Sequence, residues 1–222
     1  MCTFTVIMKI ALIGASGLVG NQVLSRLIES LFVTEVRSYG RQELALNHCK
    51  LMQIKTDFSD VEDWATNWNF DVLVCCIGTT RKKTPELAVY KTIDYGITVR
   101  VAQWAKKSGC SSVHLISSIS ANAKSRNFYL KIKGETEDAL SSLGFNSCQI
   151  YRPGMLIGKR QESRPAEWLG QKLSPLFDLF TFGGNYHSIS AQKLAEAIRN
   201  NIEKTASGNK VLHYRDFLLL IQ

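Results

Sequence analysis

The sequence predicts an α/β fold, a doubly wound parallel sheet with a small C-terminal lid, from three observations. Strand-like and helix-like stretches alternate from residue 8 to about residue 153. One strand stretch, "DVLVCCIG", is a continuous apolar run rather than an apolar–polar alternation. A glycine-rich turn separates the first strand from the first helix. Alternation requires helical crossovers between parallel strands, and a strand covered by helices on both faces is apolar throughout.

Each element follows in order. "IMKIALIG" is a buried strand, and residues 17–31 continue as a helix. "EVRSYG" and "LMQIKTDF" are the second and third strands, with a helix expected over 61–68. "DVLVCCIG" is the fourth strand, and a long helix covers 87–107. "VHLISS" leads to a helix over 129–143 and then to the strand "SCQIYRPG". After Pro153 the periodicity weakens among Pro, Gly and aromatic residues, as in a lid or substrate lobe. "AQKLAEAIRNNIEK" then returns to an amphipathic helix. With no repeat and no low-complexity linker, the 222 residues read as one domain. Its core is 8–153, and the lobe and C-terminal helix are 154–222.

Composition narrows the partners. The net charge is +8, but the basic residues are dispersed, and "RKK" at 81–83 and "KK" at 106–107 are short. That pattern fits a solvated face, not nucleic-acid binding. No run approaches the ~18 apolar residues of a membrane helix. The N-terminus lacks a charged leader region and runs directly into the first strand, with Met8 as an alternative start. The six cysteines (Cys2, Cys49, Cys75, Cys76, Cys110 and Cys148) form no C-x-x-C and no zinc spacing. They read as reduced thiols of a cytoplasmic protein, with Cys75 and Cys76 buried. His48, His114, His187 and His213 share no spacing and read as structural or exposed.

"LIGASGLVGNQV" places Gly14, Gly17 and Gly20 after strand one and at the opening of helix one. A pyrophosphate site needs a tight turn, close backbone approach, and a helix N-terminus offering amide donors and a positive dipole end. The spacing is G-x-x-G-x-x-G rather than G-x-G-x-x-G, but strand before and helix after supply the required context. The sheet is therefore of the Rossmann type. Ser16, Leu18 and Val19 join the three glycines as the expected phosphate-binding loop. An NAD site would place an acid after strand two; here stand Gly40 and Arg41. A guanidinium suits a 2′-phosphate, so the expected cofactor is NADP(H). Glu43 is near enough to act as the acid if the loop is shifted. Asp57 and Phe58, ending strand three, are candidates to border the adenine.

The chemistry follows from "VHLISSIS" and "FYLKIKGETE". The strand ends on Ser117 and Ser118 at the sheet edge where ligands bind. Tyr129 and Lys133 follow, four apart and on one face of a helix. Carbonyl reduction needs a hydride and a proton for the developing oxyanion. A phenol of ordinary pKa near ~10 exchanges protons poorly at neutral pH, and an ammonium one turn away favours the phenolate. Tyr129 is thus the expected acid/base and Lys133 its partner. Ser118, in preference to Ser117, polarises the carbonyl.

These residues resemble the short-chain dehydrogenase/reductase superfamily. More narrowly, "CCIGTTR", "LISS", "YLKIKGETE" and "YRPGMLIGKRQESRPAEWL" resemble the atypical branch containing the Tat-interacting pro-apoptotic oxidoreductase family and its bacterial relatives. The resemblance implies a Rossmann core, NADPH, and a Ser–Tyr–Lys set at Ser118 (or Ser117), Tyr129 and Lys133. It further implies that Gly78 and Thr79 lie along the cofactor and that 152–154 pass near the nicotinamide. Arg160, Glu162 and Arg164 either tie the lid to the core or meet an anionic substrate.

Three readings follow. The first is an NADPH-dependent oxidoreductase of a small carbonyl or hydroxyl compound, monomeric or homodimeric. The second is an NADPH-binding regulator working through a protein partner with little turnover. The third, an isomerase or epimerase of a sugar nucleotide, ranks last because the segment after Pro153 is short.

Overall fold

The computed structural model describes residues 7–64, 68–158 and 186–222. Seven parallel strands form one sheet in the order β3-β2-β1-β4-β5-β6-β9: β1 Met8–Ile13, β2 Val33–Gly40, β3 Leu51–Lys55, β4 Val72–Cys75, β5 Ser112–Ile116, β6 Ser147–Tyr151 and β9 Gly208–Leu212. Strand order reverses between β1 and β4, and the ligand crevice of such a sheet opens outside the carboxyl ends of those strands.

Two apolar layers hold the sheet. On one face α1 (Leu18–Glu29), α5 (Ala191–Glu203) and α6 (Tyr214–Leu220) bury Ile10, Leu12, Leu24, Leu194, Ile198 and Phe217. On the other, α3 (Thr98–Lys107) and α4 (Phe128–Ser142) cover Ala11, Ile13, Leu73, Val113 and Ile150. Strands β4 and β6 are buried along their whole length, as their apolar runs demand. The segment after Pro153 contributes more than a lid. β9 pairs with β6, and α5 packs into the same layer as α1.

Of the helix predicted over 61–68, residues 65–67 lie outside the described residues, and the rest is not α-helical. One 3₁₀ turn, Val61–Asp63, gives way to extended backbone at Trp64, whose ring stacks on Tyr39 at 4.6 Å. Stacking against Tyr39 at the end of β2 accompanies the extended backbone at Trp64. The long helix expected over 87–107 is α2 (Leu87–Lys91) and α3 joined by a π-helical turn, Thr92–Ile97. Such widened turns occur often at functional sites. The small pair β7 (Leu156–Ile157) and β8 (Ile189–Ser190) brings residues 186–190 back over 154–157. "RQESRP", with Arg160, Glu162 and Arg164, lies outside the described residues.

Candidate active site

The glycine loop is built for close approach. Gly14 has φ +85°, and a Cβ on it would lie 2.5 Å from the backbone of Cys76 at the end of β4. A Cβ on Gly20 would lie 2.1 Å from the Gly14 carbonyl oxygen. Helix α1 and the loop therefore fit only with glycine at both positions. Gly17 N–H donates to Gly14 O at 3.0 Å, closing the turn. No side chain caps α1 and its first turn holds no acid. The N–H groups of Leu18, Val19 and Gly20 thus lack intrahelical partners and face a positive dipole end. Ser16 and Gly17 are exposed beside them, while the Val19 side chain is buried and leaves only its backbone to a ligand. This cradle fits a pyrophosphate. Arg41 and Glu43 are both exposed in the loop after β2. Of the two candidates beside the adenine, Asp57 is exposed, whereas Phe58 is buried in the aromatic cluster.

At the carboxyl ends of β4 and β5 the second half of the site assembles. Asn127 caps α4 through its side-chain oxygen, which accepts from Leu130 N–H at 3.2 Å, and this starts the helix just before Tyr129. Tyr129 is 38% exposed and Lys133, one turn on, is 6% exposed. Lys133 is not in water. Its Nζ meets Asp94 Oδ1 at 3.0 Å, and Asp94, within the π turn, is itself 1% exposed. The other Asp94 oxygen accepts from Thr79 N–H at 2.8 Å. A Cβ on Gly78 would lie 3.7 Å from both Asp94 and Lys133. Burial presses Lys133 toward its neutral form, but the charges of Asp94, Tyr129 and Glu137 outweigh it and hold its pKa above the usual lysine value. Thr79 is held further by the Thr84 hydroxyl at 2.8 Å and by Tyr90 OH, which donates to its carbonyl at 3.2 Å.

The two serines separate. Ser117 is buried and donates its hydroxyl to Glu137, which Arg152 grips through Nε at 3.0 Å to Oε1 and through Nη2 to Oε2. This cluster ties β5, α4 and the end of β6 together. Ser118 is half-buried, and its hydroxyl has no hydrogen bond among the described residues. Beyond it Ser120 adopts φ +63°, a conformation uncommon for serine, and its Oγ lies 3.4 Å from Tyr186 OH. A Cβ on Gly154 would lie 2.7 Å from the carbonyl oxygens of Tyr186 and His187, so the returning chain rests directly on 152–154. Exposed Tyr186 thus stands beside Ser120, and Met155, also exposed, lies next to Gly154.

Asp94 and Glu137 escaped the sequence reading, and Arg152 entered it only as part of the stretch 152–154. Asp94 lies 39 residues before Lys133, within the π turn, so no short sequence spacing links the two. For Glu137, its place one turn beyond Lys133 was a signal available in the sequence. Cys75 is buried as expected, whereas Cys76 is half-buried; desolvation pushes the Cys76 thiol up to about 12, with Lys133 pulling the other way, which favours the thiol form. Among the described residues there is no metal-binding cluster, and no helix is long and apolar enough to cross a membrane.

Known proteins agree with this architecture. Residues 10–148 match the NAD dependent epimerase/dehydratase family. Protein HTATIP2 of Rattus norvegicus is 31% identical over 209 residues, 92% of this chain and 85% of its own length. The Candida albicans protein FMP52, named mitochondrial, is 36% identical over 163 residues, 70% of each chain. Among solved structures, the Bordetella bronchiseptica enzyme WbmH in complex with NAD+ superposes with a TM-score of 0.70 at 16% identity, over 94% of this chain and 76% of that one. MoeE5 in complex with UDP-glucose and NAD gives 0.68 at 15%, over 95% and 80%. The structural likenesses report the shared fold, whereas the family match and the rat relative report descent. On that evidence the chain belongs to the NAD dependent epimerase/dehydratase family.

Proposed function

We propose that the protein is an NADPH-dependent oxidoreductase acting on a small carbonyl or hydroxyl compound, as a monomer or homodimer. The observation that carries this reading is the buried Lys133–Asp94 pair one turn from Tyr129, at the edge of the sheet that also holds the open N-terminus of α1. A lysine kept charged at such a cost in burial has a local task, and a phenol beside it supplies one.

Leu18, Val19 and Gly20 would hold the pyrophosphate through backbone N–H groups, with Ser16 beside them. Arg41 would take the 2′-phosphate, and Gly78, Thr79, Tyr129 and Lys133 would flank the nicotinamide half. When bound, the cofactor supplies the hydride. The chain supplies everything else. Ser118 donates a hydrogen bond to the substrate oxygen and polarises it. Tyr129 gives that oxygen its proton. The Lys133 ammonium supports the negative charge left on Tyr129 oxygen until solvent returns the proton. In the oxidative direction the same groups act in reverse. Met155 and Tyr186, from the segment after Pro153, would form the apolar wall on the substrate side. The free thiols favour a reducing compartment; the fungal relative is named mitochondrial, and fractionation decides between cytosol and mitochondria.

The test is a titration with NADPH and NADH, followed by a panel of aldehydes and quinones, on the wild type and Tyr129→Phe. We expect the variant to bind NADPH within about twofold of wild type and to lose about 10²–10⁴-fold in kcat. Equal turnover in the variant removes Tyr129 from the mechanism. Tight binding without turnover in either protein favours the regulator reading.

A further inference from the structure

We infer that Asp94 is a positioning residue that keeps Lys133 an ammonium and ties it to the loop after β4. The inference rests on the oxidoreductase reading for its purpose, but not for its physics.

The geometry leaves Asp94 little other role. Its carboxylate sits at the inner side of the π turn, fully enclosed, with one oxygen 3.0 Å from Lys133 Nζ and the other 2.8 Å from Thr79 N–H. An exposed lysine needs no such partner. Lys133, enclosed between α4 and the end of β4, does, because burial without a counter-charge favours the neutral amine. The other charged and titratable groups facing it cannot substitute. Glu137, on the same helix, is already gripped by Arg152 and accepts from Ser117. Tyr129 is the group to be served. Cys76, from the end of β4, is held as a thiol by burial. Asp94 is the one carboxylate in contact with the ammonium among the described residues.

The pair also couples two parts of the site. Thr79 is fixed by Asp94, Thr84 and Tyr90, so the loop through Gly78 and Thr79 is anchored to the same carboxylate that charges Lys133. Asp94→Asn separates the two effects. Its amide oxygen still accepts from Thr79 N–H, while its NH₂ group faces the lysine. An ammonium has no lone pair to offer that amide, whereas a neutral amine has, so the substitution favours loss of the lysine proton.

The experiment follows the Lys133 side chain directly, by NMR titration of the cofactor-free protein after ¹³C reductive methylation of its lysines. Exposed Lys82 and Lys124 serve as references within the same sample, and Lys133→Arg assigns the signal. In the wild type, Lys133 is expected to remain charged to a higher pH than the references. In Asp94→Asn it is expected to lose its proton at a lower pH than they do. Co-titration of Lys133 with the references in the wild type overturns the inference without any variant, which covers the case of Asp94→Asn failing to fold. Co-titration in the variant overturns it as well. Once a substrate is in hand, kcat/KM of Asp94→Asn should match wild type at low pH and fall about tenfold per pH unit above the point where Lys133 loses its proton. A purely structural loss would be the same at every pH. If the titration behaves as expected but the wild type binds NADPH and turns over no carbonyl, the oxidoreductase reading fails and the role of Asp94 in charging Lys133 stands.

Discussion

At the scale of the residue, the proposed preference for NADPH rests on Arg41. It is exposed, in the loop that follows β2, at the end of the strand where an acid would select NAD. A charge-assisted, bidentate contact to a 2′-phosphate contributes roughly 1.5–3 kcal/mol. Arg41→Ala is therefore expected to weaken NADPH about 10- to 100-fold and to leave NADH within about twofold. Nicotinamide fluorescence titration with both nucleotides checks it, and parallel losses would assign the phosphate to some other group. Glu43 is equally exposed two residues on, and in an NADH-selective protein its removal, not that of Arg41, would matter. A second group of residues organises the serines at the end of β5. Ser117, Glu137 and Arg152 touch one another and leave Ser118 as the serine with a hydroxyl to spare.

At the scale of the element, helix α4 and the loop before it act as one part. A Cβ on Gly134 would lie 2.1 Å from Ala123 N and 2.3 Å from Asn122 C, both backbone, so neither neighbour can swing away. Asn122 N–H also donates to Leu130 O at 3.0 Å. Gly134→Ala must separate the loop from the helix and with it Ser118 from Tyr129. We expect a loss of about 1–3 kcal/mol in urea unfolding, from overpacking, and a fall in kcat of the order of 10² from misplacement. A variant equally stable and active would show that the loop can shift without cost. This scale also marks how far a sequence can be read. Six strands of the sheet announce themselves through the alternation of strand-like and helix-like stretches, and they stand where expected. β9 does not, because "GNKVL" is an edge strand with a single buried residue and no apolar run to betray it. The helix expected over 61–68 gives, among the described residues, one 3₁₀ turn and an extended Trp64 stacked on Tyr39, a tertiary contact that the local sequence does not show. Tyr129 and Lys133 were legible because a helix brings residues four apart together. Asp94 was not, because its meeting with Lys133 depends on two helices and a π turn.

At the scale of the whole molecule, stability depends on a polar chain buried on the other side of the sheet from α4. His114, on β5, meets Tyr151 OH at 2.9 Å through Nδ1 and Ser112 Oγ at 3.1 Å through Nε2. Tyr151 OH also accepts from Asn201 Nδ2 at 2.8 Å, across to α5. A buried phenol that accepts from Asn201 has its own proton left to donate. Giving it to Nδ1 places the imidazole proton on Nε2, where Ser112 accepts it. The ring is then neutral and fully partnered, and burial lowers its pKa to about 3. The sign follows directly. Between pH 3 and 6.5 the unfolded chain binds a proton that the folded one refuses, so stability rises with pH across that window and falls on acidification. At pH 5 the loss from this one residue is about 2 kcal/mol, at 1.36 kcal/mol per unit. Most carboxylates titrate lower, which leaves the interval from pH 7.5 to 5 largely to histidine. Urea unfolding of the wild type should therefore weaken by about 2 kcal/mol more across that interval than unfolding of His114→Gln. The variant will itself be less stable at pH 7.5, because glutamine cannot serve Ser112 and Tyr151 with the same reach, and the comparison uses the slope rather than the level. Parallel slopes would mean that His114 takes up its proton in the folded state without breaking the chain to Asn201, and that acid sensitivity has its origin elsewhere in the fold.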